Sequence, residues 1–210
     1  MSINEKQTGA EDYNKNYELF GKNFQQQMLE LLKSDLDSIA ANTDSVYEPE
    51  KKITLSFFTE PVTVDLKERQ MFLGNKILDT FTSSIILHYL LTAGNMPLSG
   101  KWITYRELPD GMFYGNTIPA VIAPVAVKFE LDFKGFLEKV IMLGGKASPE
   151  FKNGAIIYPF KRFPVLFILE EKDDEFDASV TVFFDRNSPG YMRSDIIKTL
   201  LVYTVKKITG

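Results

Sequence analysis

The amino-acid sequence predicts an α+β fold: a mostly antiparallel sheet built from hairpins and packed with helices, including a central buried helix. Strand-like segments occur in pairs with short connections, which favours antiparallel pairing over a doubly wound parallel sheet. One helical segment is apolar on almost every side, which is typical of a helix at the centre of a domain. No repeat, low-complexity tract or long linker interrupts the 210 residues, so we expect residues 1–210 to form a single globular domain.

The chain begins with the pattern of an amphipathic helix. Large apolar side chains recur at intervals of three and four residues: Tyr13, Tyr17, Phe20, Phe24, Met28 and Leu31. A second, short helix is expected over residues 35–41. The stretch "ITLSFFTEPVTVDL", which starts at Ile53, then predicts a hairpin, because two β-rich runs flank Thr59, Glu60 and Pro61.

Residues 76–92 form the predicted central helix. Their segment "SIILHYLL" is apolar on nearly all sides, and Gly94 and Asn95 follow it as a helix stop. Beyond this helix we expect a short strand over residues 102–106 and a turn at residues 109–111.

The second half of the chain combines a broken helix, three strands and a closing helix. The helical pattern over residues 118–143 contains Pro124 and Gly135, so it predicts either two helices or one kinked helix. The β-rich runs cover residues 155–160, 164–170 and 178–185. The closing helix, which we expect Ser194 to cap, has one apolar face: Ile197, Leu200, Leu201, Thr204, Val205 and Ile208.

The last two strand runs are expected to pair with each other. The segment between them, "EEKDDEFD" from Glu170 to Asp177, is too short for the crossover helix that a parallel pair requires. An antiparallel hairpin with a charged, solvated tip is therefore predicted. The acidic run lacks the central glycine and the ligand spacing of a calcium-binding loop, so we expect no metal there.

Composition excludes several classes of function. The formal net charge of -4 leaves no basic footprint for phosphate backbones, so we expect no nucleic-acid partner. The chain has no cysteine, which excludes disulfides, thiolate metal sites and a cysteine nucleophile. It shows no signal-peptide pattern and no apolar run of about 18 residues, which predicts a cytoplasmic protein without membrane association.

Nucleotide-binding motifs are absent from the sequence. In "GNMPLSGKW" the spacing from Gly94 to Gly100 is one residue too long for a phosphate-binding loop, and the segment follows a helix rather than a strand. A helix stop and a turn explain its glycines. No GxGxxG pattern occurs, and we expect no cofactor.

His88 is the single histidine of the chain, so any catalytic triad or dyad built on an imidazole must use it. It projects from an apolar face of the predicted central helix. A core histidine whose ring nitrogens find a backbone or side-chain partner is one interpretation, and a pocket histidine is the other. Metal sites with several histidines are excluded.

Asp185 ends the run "VTVFFD" and invites comparison with a catalytic carboxylate at a strand end. The following Asn187 and Ser188 superficially resemble the nucleophile motif of haloacid-dehalogenase-type phosphatases, yet only a turn and one helix remain after Asp185. Asp and Asn before Ser-Pro-Gly are typical of turns closed by side-chain bonds to backbone N–H groups. We expect Asp185 to accept such a bond and its loss to cost about 1 kcal/mol.

Three stretches together carry a resemblance to a known family. The segments "ILHYLLTAGNMPLSGKWITYREL" and "FPVLFILEEKDDEFDASVTVFFDRNSPGYM", with the Gly-Gly after the broken helix, are similar to the domain-of-unknown-function family 3786, which is frequent in anaerobic bacteria and archaea. The resemblance runs over most of the chain. Some relatives are joined to a cysteine-rich iron–sulfur module, which this cysteine-free chain lacks. The resemblance implies no catalytic residues.

Two functional hypotheses from different classes follow. The first is a non-catalytic cytoplasmic binding or accessory protein for a small molecule or protein, linked by the fused relatives to redox or corrinoid metabolism. The second is a small-molecule enzyme in which His88 is the acid or base and Glu107, Asp110 or Asp185 is its carboxylate partner.

Overall fold

The structure is a computed structural model that describes residues 24–210. Tyr13, Tyr17 and Phe20 of the first predicted helix lie outside the described residues. The part of that helix within them, α1, is helical over residues 24–33, and the side chains of Met28 and Leu31 are fully buried as predicted.

The first sheet is a five-stranded antiparallel meander in which the spatial order of the strands follows the chain. Its strands are β1 (Val46–Glu48), β2 (Lys52–Phe57), β3 (Glu60–Asp65), β4 (Gln70–Leu73) and β5 (Lys76–Ile77). Along β2 every second side chain is buried, so one face of this sheet covers the core. The hairpin predicted from "ITLSFFTEPVTVDL" is confirmed as β2 and β3.

The second sheet is also antiparallel and has the strand order β6-β10-β9-β8-β7. Its strands are β6 (Trp102–Thr104), β7 (Lys146–Ala147), β8 (Gly154–Phe160), β9 (Phe163–Glu170) and β10 (Ser179–Asp185). Strand β9 is buried along most of its length, as its nearly continuous apolar sequence requires. The predicted hairpin of β9 and β10 is confirmed, with Ser179 opposite Glu170.

The helices after α1 pack around these sheets. They are α2 (Leu36–Thr43), α3 (Thr80–Thr92), α4 (Gly111–Tyr114), α5 (Ile118–Lys128), α6 (Phe133–Met142) and α7 (Ser194–Thr209). The central helix is confirmed as α3, in which every residue from Thr82 to Leu90 is buried. The α+β class predicted from the sequence is therefore correct, with two sheets in place of one.

Aromatic side chains join the two sheets into one hydrophobic core. Tyr89 of α3 stacks on Phe160 of β8 with 4.0 Å between the ring centroids, and the Phe57 ring of β2 lies 5.1 Å from the same Phe160 ring. The Phe58 N–H donates to the Pro159 carbonyl oxygen at 2.8 Å. The tip of the β2–β3 hairpin is thereby anchored to the second sheet.

Two predicted boundaries are wrong. Residues 76 and 77 form strand β5, and α3 begins only at Thr80, because the Asp79 carboxylate accepts the Thr82 N–H and starts the helix there. Strand β6 ends at Thr104 instead of residue 106, because the chain turns into a 3₁₀ helix closed by Glu107.

The broken pattern over residues 118–143 forms two helices, α5 and α6. The break falls at residues 129–132 and not at either helix-breaking residue. Pro124 lies inside α5, and Gly135 lies in the first turn of α6, where its N–H donates to Asp132 Oδ1 at 2.8 Å. The Asp132 cap, rather than a glycine or proline, therefore marks the restart of the helix.

Candidate functional site

His88 lies within α3 and is 9% exposed. Its Nδ1 is 3.2 Å from Thr92 Oγ1, and that hydroxyl is 2.7 Å from the carbonyl oxygens of both His88 and Tyr191. Because the hydroxyl has one hydrogen and the carbonyl oxygens can only accept, we infer that His88 Nδ1 carries a hydrogen and donates it to Thr92. The ring thus has the side-chain partner expected of a core histidine.

The charge state of His88 depends on burial and on two nearby side chains. Burial lowers the pKa of His88, because the charged imidazolium loses its solvation. The Asp195 carboxylate raises this pKa, and the Arg193 guanidinium lowers it further. Within residues 24–210, His88 forms no hydrogen bond or ion pair with Glu107, Asp110 or Asp185.

Asp185 lies at the end of β10 with 2% of its surface exposed, and all its carboxylate bonds are to nearby loops. Its Oδ1 accepts the Asn187 N–H at 2.8 Å, which confirms the bond predicted from the sequence. The same oxygen accepts the N–H and the hydroxyl of Ser99, each at 3.0 Å, and Oδ2 accepts the Gly100 N–H at 2.8 Å. Asp185 therefore joins two connections of the chain.

Further bonds between the same connections make a clasp, which we define as residues 94–101 held against residues 185–191. The Arg186 N–H donates to the Lys101 carbonyl oxygen and the Gly94 N–H to the Gly190 carbonyl oxygen, each at 2.8 Å. The Tyr191 hydroxyl donates to the carbonyl oxygen of Met96. The clasp supplies partners for backbone groups of both connections, which lie outside regular secondary structure over most of their length.

Glu107 serves the backbone rather than a pocket. Its Oε2 accepts the N–H and the hydroxyl of Thr104, each at 2.8 Å, and so closes the 3₁₀ turn after β6. These two bonds hold the pKa of Glu107 below its usual range. The third carboxylate candidate, Asp110, has a φ of 56° in the turn before α4.

Asp110 lines a cavity of 320 Å³ between α4 and the start of α7. Its lining also includes Phe113, Tyr114, Met192, Arg193 and Asp195. Ser194 lines the cavity as well, and its hydroxyl donates to the Pro109 carbonyl oxygen. The prediction that Ser194 caps α7 is wrong, because Ser194 is the first residue of that helix.

The chemistry of this cavity is mixed. Arg193 forms an ion pair with Asp195 at 3.0 Å, and Lys198 Nζ lies 5.1 Å from the centroid of the Tyr114 ring. The Phe113 side chain is 81% exposed at its rim. Asp195 belongs to the cavity wall and also acts electrostatically on His88. It was missed as a site residue, and its only sequence signal was an acidic side chain in the first turn of the last helix.

A larger cavity of 530 Å³ lies where α6 and α7 end, near the start of α3. Its lysines are Lys139, in the last turn of α6, and Lys206 and Lys207, in the last turn of α7. Lysines at these positions complement the negative ends of helix dipoles, which is a structural role. We therefore take the α4–α7 cavity as the candidate site.

Neither a metal site nor a membrane-spanning helix is found in the described part of the chain. Among residues 24–210, no group of three or more histidine, aspartate or glutamate side chains is arranged to hold a metal ion. Nor is any helix there long and apolar enough to cross a membrane.

Fold and site together define an α+β protein with two antiparallel sheets and a mixed apolar and charged cavity beside its last helix. The family model described as "Domain of unknown function (DUF3786)" matches residues 35–207, and the chain belongs to this family. The resemblance noted in the sequence is confirmed. No curated protein and no solved structure matches the chain.

Proposed function

We propose that this protein is a non-catalytic cytoplasmic binding or accessory protein that takes its ligand or partner at the α4–α7 cavity. The observation that carries the proposal is the composition of that cavity: an exposed aromatic rim beside the ion pair of Arg193 and Asp195. Apolar cavities with a few oriented polar groups are the usual form of small-molecule sites.

The rim of the cavity supports binding because it keeps large apolar side chains in water. Phe113, which lines the cavity, is 81% exposed, and its neighbour Met112 on the same four-residue helix is 72% exposed. Exposed apolar groups of this size are typical of ligand and partner surfaces. The start of α4 packs so closely on the preceding turn that position 111 requires glycine, because a Cβ there would come within 2.0 Å of the Tyr105 carbonyl oxygen.

Two of the three carboxylates considered as catalytic groups support the same proposal. Glu107 and Asp185 accept backbone hydrogen bonds with their oxygens. A carboxylate that closes a turn in this way is held for structure and is poorly placed to take a proton from a substrate. A link to redox or corrinoid systems of anaerobes is part of the proposal and is supported by the resemblance to relatives joined to iron–sulfur modules.

A second candidate function is a small-molecule enzyme that uses His88. The observation that favours it is the electrostatic effect of Asp195, a residue of the cavity wall, on the imidazole. In this enzyme hypothesis Asp195 is the carboxylate partner of His88, the role that sequence analysis gave to Glu107, Asp110 or Asp185.

Binding is tested by amide NMR of the full chain with named probes: cobinamide, flavin mononucleotide, adenosine and phenylacetate. We expect at least one probe to shift amide signals of residues 109–114 and 189–195. The variant Phe113→Ser should lose these shifts, whereas Met142→Ser, which changes a side chain that is 72% exposed on α6, should keep them.

Two outcomes contradict the proposal. The first is that no probe shifts the cavity signals, or that Phe113→Ser binds as the unchanged chain does. The second is turnover of a probe that His88→Gln and Asp195→Asn both abolish while the proteins stay folded, which establishes the enzyme instead.

A further inference from the structure

A cleft of 310 Å³ lies between α5 and β10. Ile118 and Ile122, four residues apart on one face of α5, line it from the helix, and each is 6% exposed. Val180 and Val182, which alternate with Thr181 and so share a face of β10, line it from the strand. The periodicities of a helix and of a strand together give this cleft apolar walls.

Arg106 is the one charged residue among those that line the cleft in the described part of the chain. It lies in the 3₁₀ turn after β6, and its guanidinium forms no ion pair within residues 24–210. The neighbouring Glu107 carboxylate accepts the N–H and the hydroxyl of Thr104 instead. The lining therefore has a single uncompensated positive charge, in a chain whose formal net charge is -4.

Two contacts set the position of the Arg106 side chain. Its Nη2 donates a hydrogen bond to Asn116 Oδ1. A Cβ on Gly115, which also lines the cleft, would lie 2.6 Å from Arg106 Cγ, so the arginine stem occupies space that only a glycine leaves free. The φ of Gly115 is -55°, which any residue adopts, so the close approach of Arg106 and not the backbone conformation requires glycine here.

Most of the guanidinium N–H donors of Arg106 remain without a partner within the described residues, because the bond to Asn116 uses one of five. A carboxylate matches such a planar group with two parallel hydrogen bonds and balances its single charge. A phosphate monoester carries nearly two negative charges at pH 7 and would leave one of them uncompensated beside apolar walls. An ammonium group is repelled by the guanidinium.

We propose that this cleft binds a small monocarboxylic acid with an aliphatic body. The carboxylate receives N–H bonds from Arg106, and the aliphatic body lies between the apolar side chains of α5 and β10. The volume of 310 Å³ lies at the lower end of the range that is typical of small-molecule sites. The linings of this cleft and of the α4–α7 cavity share no residue, and the proposal does not depend on the function proposed for that cavity.

The test measures binding of octanoate to the full chain by titration calorimetry and by amide NMR. Two probes of the same chain length serve as controls, 1-octanol and octylamine, and all three are used below the concentrations at which they aggregate. We expect octanoate to shift amide signals of residues 104–106, 115–122 and 180–182. It should bind about tenfold more tightly than 1-octanol, the effect of one charge-assisted pair, and octylamine should bind most weakly.

The charge of Arg106 is tested by Arg106→Gln. Octanoate and 1-octanol should then bind with similar affinity, because the apolar walls remain and the guanidinium is gone. Its control, Arg69→Gln, removes an arginine from an exposed position between β3 and β4 and should change octanoate binding less than about twofold.

The position of Arg106 is tested by Gly115→Ala. This change keeps every charge of the chain, and its methyl group must displace the Arg106 stem. Octanoate should therefore lose more affinity than 1-octanol. Thermal unfolding shows whether each variant is folded, and Arg106→Gln tests the proposal by itself if Gly115→Ala does not fold.

Three results would each overturn the proposal: equal affinity of the unchanged chain for octanoate and 1-octanol, a preference for octanoate that persists in folded Arg106→Gln, or equal losses in Arg106→Gln and Arg69→Gln. Octanoate shifts that are confined to residues 109–114 and 189–195 would also overturn it, but they would support binding at the α4–α7 cavity. The failure of this site is thereby distinguished from the failure of that one.

Discussion

Strand β10 has carboxylates at both ends and uses them in opposite ways. At its C-terminal end, Asp185 is 2% exposed, and its oxygens accept bonds from Ser99, Gly100 and Asn187. At its N-terminal end, residues 170–177 are exposed, and several of their carboxylates have no protein partner within the described residues. The N–H donors that the fold brings to a carboxylate, and not the number of acidic residues, decide its role.

The largest effect expected from this comparison is that of Asp185→Ala. The change leaves three partly buried backbone N–H groups and one hydroxyl without the buried carboxylate that accepts them, so we expect a loss of about 3 kcal/mol in the free energy of unfolding. Urea denaturation followed by circular dichroism measures it. Asp174→Ala, at an exposed carboxylate of the opposite end, is the control and should change little.

Sequence analysis alone predicts a loss of about 1 kcal/mol for Asp185→Ala, because only the local bond to the Asn187 N–H can be inferred from it. The larger value depends on Ser99 and Gly100, which lie more than eighty residues earlier and reach Asp185 only through the pairing of β6 with β10. A measured loss near 1 kcal/mol would show that the long-range bonds of Asp185 contribute little.

The clasp around Asp185 is tested next by Tyr191→Phe. This change keeps the buried ring and removes the hydroxyl that donates to the Met96 carbonyl oxygen, so a loss of about 1 kcal/mol is expected. Tyr114→Phe, at a ring that is 39% exposed, is the matched control. Equal effects of the two changes in urea denaturation would mean that the Met96 bond does not hold the clasp.

Local patterns predicted most of the fold, and the errors fall at the boundaries of its helices and strands. The alternation in "VTVFFD" and the apolar run "PVLFILE" depend on neighbouring residues, and the hairpin that they predict is present. Strand β5 consists of Lys76 and Ile77 alone and is set by its pairing with β4. No periodicity exists in two residues, so the segment was assigned to the helix that follows it.

The candidate site was less predictable than the fold, because its side chains come from segments that lie far apart in the chain. His88 was found because it is the only imidazole, and its Thr92 partner is one helical turn away. Asp195 reaches the surroundings of His88 only because α7 packs against α3. The α4–α7 cavity likewise combines side chains from residues 109–114 and 189–195, whose proximity no local pattern contains.

His88 is a buried group with the opposite preference from Asp185: it has one side-chain partner, and burial disfavours its charged form. Its pKa is lowered in the folded protein, so the unfolded chain takes up a proton first as the pH falls below about 6.5. The folded state therefore loses stability from about pH 6.5 downward, until the folded pKa is passed. Above about pH 6.5 His88 is neutral in both the folded and the unfolded state, and its contribution to stability is fully present.

The measurement is the free energy of unfolding at about pH 7.5 and about pH 5.5 for the unchanged chain and for His88→Gln. The unchanged chain should lose more stability between the two values. Acidic side chains titrate in both proteins, so the difference between the proteins isolates His88. A larger loss in His88→Gln would mean that Asp195 outweighs burial and raises the pKa of His88.

The smallest expected effect separates two adjacent residues of the connection between β9 and β10, Asp173 and Asp174. Both belong to the charged, solvated hairpin tip that the sequence predicts, where exchanges usually change stability little. In the structure the N–H groups of Glu175 and Phe176 donate to Asp173 Oδ1, and these bonds lower the pKa of Asp173.

Because the pKa of Asp173 is lowered in the folded protein, its ionised form contributes stability that is complete well above the ordinary value of 3.8 and is lost as the pH falls through the folded pKa. At pH 7 Asp173→Asn should therefore lower the melting temperature slightly, whereas Asp174→Asn should leave it unchanged. The difference should vanish at acid pH, where Asp173 is protonated in both states. If the two variants melt together at pH 7, the turn that presents Phe176 is not held by Asp173, and the order of the exposed end of β10 must come from the strand pairing alone.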